Sequence, residues 1–153
     1  MSITTTTHLN FRGDARQALE FYRSVFGGRT TIATYADFGM PPDAPGADDV
    51  VFGQVVSENG FRVMAYDIPG APAAATTVST RRENGATITD QPFFVSVRGT
   101  ALEEVREYWD RLAIGATVIK PLATSAWSAG FGMVTDRFGV TWILDVASEG
   151  DAG

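Results

Sequence analysis

Apolar and polar positions along this chain switch between two periods. Leu9 and Phe11 alternate with His8 and Asn10, the period-two pattern of a half-buried strand over 6–11. Ala15, Ala18, Leu19, Tyr22 and Val25 then recur at helical spacing. Asp14 precedes that run with Gln17 three residues on, which predicts a capping box, and Gly27-Gly28 predicts the helix end. A strand over 30–35 follows, and 38–49, rich in Pro, Gly and Asp, reads as a loop. Two apolar runs over 50–57 and 61–66 flank Asn59-Gly60, a strong hairpin signal.

A second cycle repeats this order. A strand is expected over 92–97, then a helix that starts with a capping box at Thr100 and Glu103 and runs to about Ala113. A short strand over 116–120, a loop over 122–130 and paired strands over 132–135 and 140–146 complete it. An offset of 87 lays Glu20-Phe21-Tyr22 on Glu107-Tyr108-Trp109, Ala18 on Val105, Val25 on Leu112 and Gly28 on Gly115. An offset of 79 lays Gly60 on Gly139, so the second loop is eight residues shorter. The repeat predicts an α+β fold of two strand-helix-strands modules. Module one covers about 5–68 and module two about 91–147; 69–90 reads as a linker and 148–153 as a frayed tail.

Composition narrows the classes of function. The 153 residues suit a single domain with a sizeable core. Net charge is −6, and the basic residues do not cluster: Arg81-Arg82 is followed by Glu83, and Arg98 and Lys120 stand apart. Nucleic-acid binding is therefore not expected. No apolar run approaches the roughly 20 residues that span a bilayer, so no membrane partner is expected. MSITTTTHLNF has neither a basic nor an apolar leader region, which makes the cytoplasm the expected location. The absence of cysteine removes disulfides, thiolate metal sites and a cysteine nucleophile.

Several stretches resemble one family. They are Asn10-Phe11, the run from Ala15 to Tyr22, Ser24-Val25-Phe26-Gly27-Gly28, and Met64 and Asp67 within VMAYDIP. The most specific is WSAGFGMVTDRFGVTWIL, from Trp127 to Leu144. Together these resemble the PhnB-like branch of the vicinal oxygen chelate superfamily, the glyoxalase and bleomycin-resistance fold. The resemblance implies two βαβββ modules forming a cupped eight-stranded mixed sheet with helices outside, a ligand cavity in the cup, and a homodimer.

The resemblance also raises the question of a metal. Many enzymes of that superfamily hold a divalent ion with His, Glu or Gln from four strands. His8, the only histidine, falls where the first ligand often stands. Met64 and Ile143 occupy the two hairpin positions where carboxylates are expected, and Pro92, Phe93 and Phe94 are the candidates on the remaining strand. Asp67 and Asp145 are displaced along their strands. No metal and no cofactor are therefore expected.

Other chemistry finds less support. Ser57, Ser96, Ser125 and Ser128 lie outside any G-x-S-x-G elbow, and there is no phosphate-binding or dinucleotide glycine loop. The methyltransferase label carried by some relatives therefore does not transfer. The expected function is metal-independent binding of a small molecule. Its pocket is expected to be lined by His8, Asn10, Met64, Tyr66, Phe94, Trp127, Phe131 and Met133. The alternative is a divalent-metal lyase, isomerase or dioxygenase of the same superfamily.

Overall fold

The computed structural model describes residues 2–71 and 79–148. The middle of the expected linker, 72–78, and the tail from 149 lie outside the described residues. The chain forms two compact units, Met1–Ala75 and Thr76–Gly153. Among the described residues no helix is long and apolar enough to cross a membrane.

The first unit contains β1 (Thr7–Phe11), α1 (Ala15–Phe26), β2 (Arg29–Thr34), a short 3-10 turn at Ala36–Phe38, β3 (Val50–Val56) and β4 (Arg62–Asp67). Its sheet runs β1-β4-β3-β2, with β1 parallel to β4 and the other pairs antiparallel. Ala15, Ala18, Leu19, Tyr22, Val25 and Phe26 bury one stripe of α1 against the sheet. Each large side chain removed from water there stabilises the fold by roughly 1.5–3 kcal/mol. Leu9, Phe11, Val55, Val63 and Ala65 supply the matching sheet face.

Asp14 is the residue before α1, but its side chain makes no capping hydrogen bond. The helix start is held instead from the sheet. Asp67, 2% exposed at the end of β4, accepts the backbone N–H of Gly13 at 2.8 Å and of Ala15 at 3.0 Å on one oxygen. Its other oxygen accepts Val50 N–H at 2.9 Å. A buried carboxylate with three charge-assisted bonds supersedes the local box.

The second unit repeats the plan with β7 (Val95–Gly99), α2 (Leu102–Leu112), β8 (Thr117–Ala123), β9 (Phe131–Thr135) and β10 (Thr141–Val146), ordered β7-β10-β9-β8. Three expectations change here. The segment read as linker contains a hairpin of β5 (Arg81–Glu83) and β6 (Ala86–Ile88), so the described residues form ten strands in three sheets. Asn84 and Gly85 turn it with φ of 51° and 77°, the paired positive values of a tight hairpin turn. Strand β7 begins at Val95, beyond Pro92, which cannot donate to a ladder. The cap of α2 is Ala101 without a side-chain bond, and Glu103 and Glu104 favour the helix start by charge instead of by a Thr100 box.

Glycine carries the repeat into the packing. Gly53 on β3 and Gly132 on β9 are 79 residues apart, as are their cross-strand partners Ala65 and Leu144. A Cβ on Gly53 would collide with Leu19 of α1, and one on Gly132 would meet the Trp109 ring of α2 at 2.8 Å. In both units a bare backbone lets the helix settle on the sheet.

Candidate functional site

Each four-stranded sheet has a second face, turned away from its helix. In the first sheet the pairing sets His8 beside Met64 and Asn10 beside Tyr66. Met64 in turn pairs with Gln54, and Gln54 with Thr31. Alternation puts all of these on the face opposite Leu9, Val63 and Ala65. Four of the expected pocket residues, His8, Asn10, Met64 and Tyr66, are thus brought together.

His8 and Asn10 are exposed and Met64 and Tyr66 half-buried, so His8 is not a core histidine. Its ring meets Tyr66 edge-on, with centroids 5.3 Å apart. Its Nδ1 lies 3.1 Å from Asn10 Oδ1. With the Asn10 amide oxygen as the acceptor, this pair takes the imidazole proton on Nδ1 and leaves Nε2 as an acceptor. Nearby, burial first and then Tyr66, Asp67 and Asp49 push the Tyr35 phenol above its ordinary value. It stays protonated and donates to the Asp67 carbonyl at 2.7 Å. Asp67 faces the helix and cannot reach the His8 side.

The second sheet is built alike and furnished differently. Ile143 pairs with Ser96 and Met133, and Asp145 with Arg98 and Phe131. Ser96 thus holds in β7 the register place that His8 holds in β1, a position that the sequence reading assigned to 92–94 because it began the strand too early. Arg98 donates from Nε and Nη2 to the two oxygens of Asp145 at 3.2 and 2.9 Å. Lys120 Nζ stands 5.5 Å above the Phe131 ring. Met133 is 1% exposed, and Thr87 of β6 donates to its sulfur at 3.5 Å. Phe94 is half-buried just before β7, and Trp127 is 93% exposed on the loop between β8 and β9.

A divalent ion needs at least three suitable ligands around an open position. The first face offers His8 with Asn10, Gln54, Met64 and Tyr66. The register-equivalent places in the second sheet are Ser96, Arg98, Ile143 and Asp145, with Asp145 tied to Arg98. Among the described residues no group of three or more His, Cys, Asp or Glu is placed to hold a metal. These residues do not fit the ion that many superfamily enzymes carry.

Gln54, Ser96, Lys120 and the Arg98–Asp145 pair were absent from the expected site. The signal for Gln54 was available, since it alternates with buried Gly53 and Val55 on a strand assigned from sequence. The ion pair needed the register of β7 against β10, which sequence did not supply.

Known proteins share this architecture. The crystal structure of PA1353 from Pseudomonas aeruginosa superposes with a TM-score of 0.74 at 27% identity, covering 95% of this chain and 98% of that one. The PhnB protein of Bacillus cereus superposes with a TM-score of 0.65 at 23% identity, covering 95% and 100%. Protein YjdN of Escherichia coli (strain K12) is 24% identical over 149 residues, 93% of this chain and 94% of YjdN. The model of the glyoxalase/bleomycin resistance protein/dioxygenase superfamily matches residues 6–144, and this chain belongs to that superfamily.

Proposed function

We propose that this protein binds a small organic molecule on the open face of its first sheet and does so without a metal ion. His8 Nε2 accepts a hydrogen bond from the ligand, Asn10 fixes the imidazole, and Met64 and Tyr66 provide apolar contact. The observation that carries this reading is the exposed His8, set by Asn10 and Tyr66 on a face that has no second metal ligand of His or carboxylate type. A few convergent polar groups among apolar ones are the usual make-up of a small-molecule site. Phe94, Trp127 and Phe131 are proposed as further ligand contacts on the second unit's own surface, and Met133, which is buried, as part of their support. We also propose a homodimer in the cytoplasm, for which light scattering would report twice the 16.4 kDa of one chain.

A thermal-shift panel of small metabolites on chelator-treated protein tests the binding. A compound that binds the native state raises the melting temperature by mass action. The expected result is a rise in the native sequence that is lost in Tyr66→Ala. A rise that appears only when a divalent ion is added back would overturn the metal-free reading.

A further inference from the structure

We infer that the ligand of the first sheet is an anion with an apolar or aromatic body, its negative head held between Arg62 and Arg29. This inference rests on the reading that the open face of that sheet is the binding surface, and it adds the chemical class.

The registers arrange that face in three successive rows. Arg62 pairs with Val56 and Val56 with Arg29, so two arginines flank a valine at one end. The middle row is His8, Met64, Gln54 and Thr31. At the other end stand Asn10 and Tyr66, with Phe52 and its partner Ala33. Residues of one face repeat every second position, so neighbouring rows are about 7 Å apart and the outer rows about 13 Å. The surface thus runs from cationic, through polar, to aromatic along the strands.

Two observations fix the sign of the ligand. Asp67 is the only carboxylate on the four strands, and it faces the helix. Arg29 and Arg62 are both exposed, and neither is ion-paired among the described residues; Arg62 Nε reaches only the Thr6 hydroxyl, at 3.4 Å. Two uncompensated cations thus gather on one face of a chain whose net charge is −6. Strands lie about 4.8 Å apart, so the two arginine Cα atoms are about 10 Å apart across Val56, a span that both long side chains can close on one oxyanion. A field of one sign on a surface attracts ligands of the other. Tyr66 and Phe52 at the far row suit the ligand's apolar body, and the chain between passes Nε2 of His8.

Fluorescence titration with two dyes tests this. One is 8-anilinonaphthalene-1-sulfonate, which joins an aromatic body to an anion. The other is N-phenyl-1-naphthylamine, the same body without the charge. The sulfonate is expected to bind the folded protein more tightly and to weaken with added salt. Arg29→Gln with Arg62→Gln should cost it about tenfold in affinity and leave the neutral dye unchanged. Both positions are exposed, so the melting temperature should hold, which separates this effect from dye uptake by a loosened core. Displacement by 1-naphthoate or 1-naphthyl phosphate, and not by 1-naphthol, is the matching result. Equal binding of the two dyes, or a sulfonate affinity untouched by the double substitution, overturns the anionic class. If the neutral dye still binds and loses its site in Tyr66→Ala, the small-molecule reading survives that loss. If neither dye binds, both fall together.

Discussion

Asp67 and Val146 occupy the same place in the two units. Each ends its strand beside the last residue of the parallel neighbour, Phe11 in one case and Gly99 in the other. In the first unit that place carries a buried carboxylate that pins the start of α1 and the start of β3. In the second it carries an aliphatic side chain, and α2 begins with its own Glu103 and Glu104. The buried carboxylate described in the second unit sits in the β9–β10 turn, where Asp136 accepts the N–H groups of Phe138 and Val140 and the indole N–H of Trp142 at 2.8, 3.0 and 2.9 Å. The same topology is thus locked at different corners. The outer faces diverge in parallel: His8, Asn10, Met64 and Tyr66 against Ser96, Arg98, Ile143 and Asp145. What the units share is backbone packing, as at Gly53 and Gly132, while the side chains that tie or dress it have specialised.

The largest test of that contrast is Asp67→Ala. It leaves three backbone donors without their acceptor, and the expected loss is about 3–5 kcal/mol in chemical denaturation. A loss below about 1 kcal/mol would mean that Asp67 is not the anchor of α1. Next is Gly132→Ala, where the added methyl meets the Trp109 ring and the backbone of Leu122. It should cost about 1–3 kcal/mol, because neither neighbour gives way easily. Gly53→Ala should cost less, since its nearest contact is the end of the Leu19 side chain and the backbone oxygen of Ala65 stands farther off, at 3.1 Å. Neutralising Glu103 and Glu104 as glutamines should remove about 0.3–1 kcal/mol per charge at low salt and less at high salt. A loss there as large as that of Asp67→Ala would erase the difference between the two helix starts.

The smallest effect concerns pH. Burial, and after it the carboxylates of Asp67 and Asp48, raise the Asp49 carboxyl above its ordinary 3.8. A raised acid holds its proton more tightly in the folded state. Its contribution is complete below the unfolded value and is lost as pH rises through the folded one. Asp49→Asn should therefore be slightly more stable than the native sequence at pH 7, with the gap closing toward pH 3. Melting curves across that range check the sign.

The order of elements and the helix faces were legible because burial enforces periodicity. Leu9 and Phe11 read as inward, and Ala18, Leu19 and Tyr22 as one stripe, and they are so placed. Helix starts were not legible. A capping box is a local pattern, while the carboxylate that holds α1 arrives from a residue more than fifty positions away in sequence. The Asn84-Gly85 turn carried the same signal as Asn59-Gly60, but the short polar strands around it gave no apolar alternation. That His8 and Asn10 share one face of their strand, and Met64 and Tyr66 one face of theirs, followed from alternation, while the β1–β4 pairing set the two pairs side by side. The polar groups of the second face depended on a register that no local pattern specifies, and the Arg29–Arg62 row came from pairing residues of two different hairpins.

The central claim is that His8 faces a ligand as an Nδ1–H imidazole and does not hold a metal. Because it is the only histidine, its ring nitrogens give one pair of signals in a nitrogen-detected NMR experiment, and no assignment is needed. The account predicts the Nδ1–H tautomer at neutral pH, a shift on adding 8-anilinonaphthalene-1-sulfonate, and no change with one equivalent of manganese(II). Stoichiometric broadening of those signals by manganese, with the dye leaving them unmoved, would contradict it.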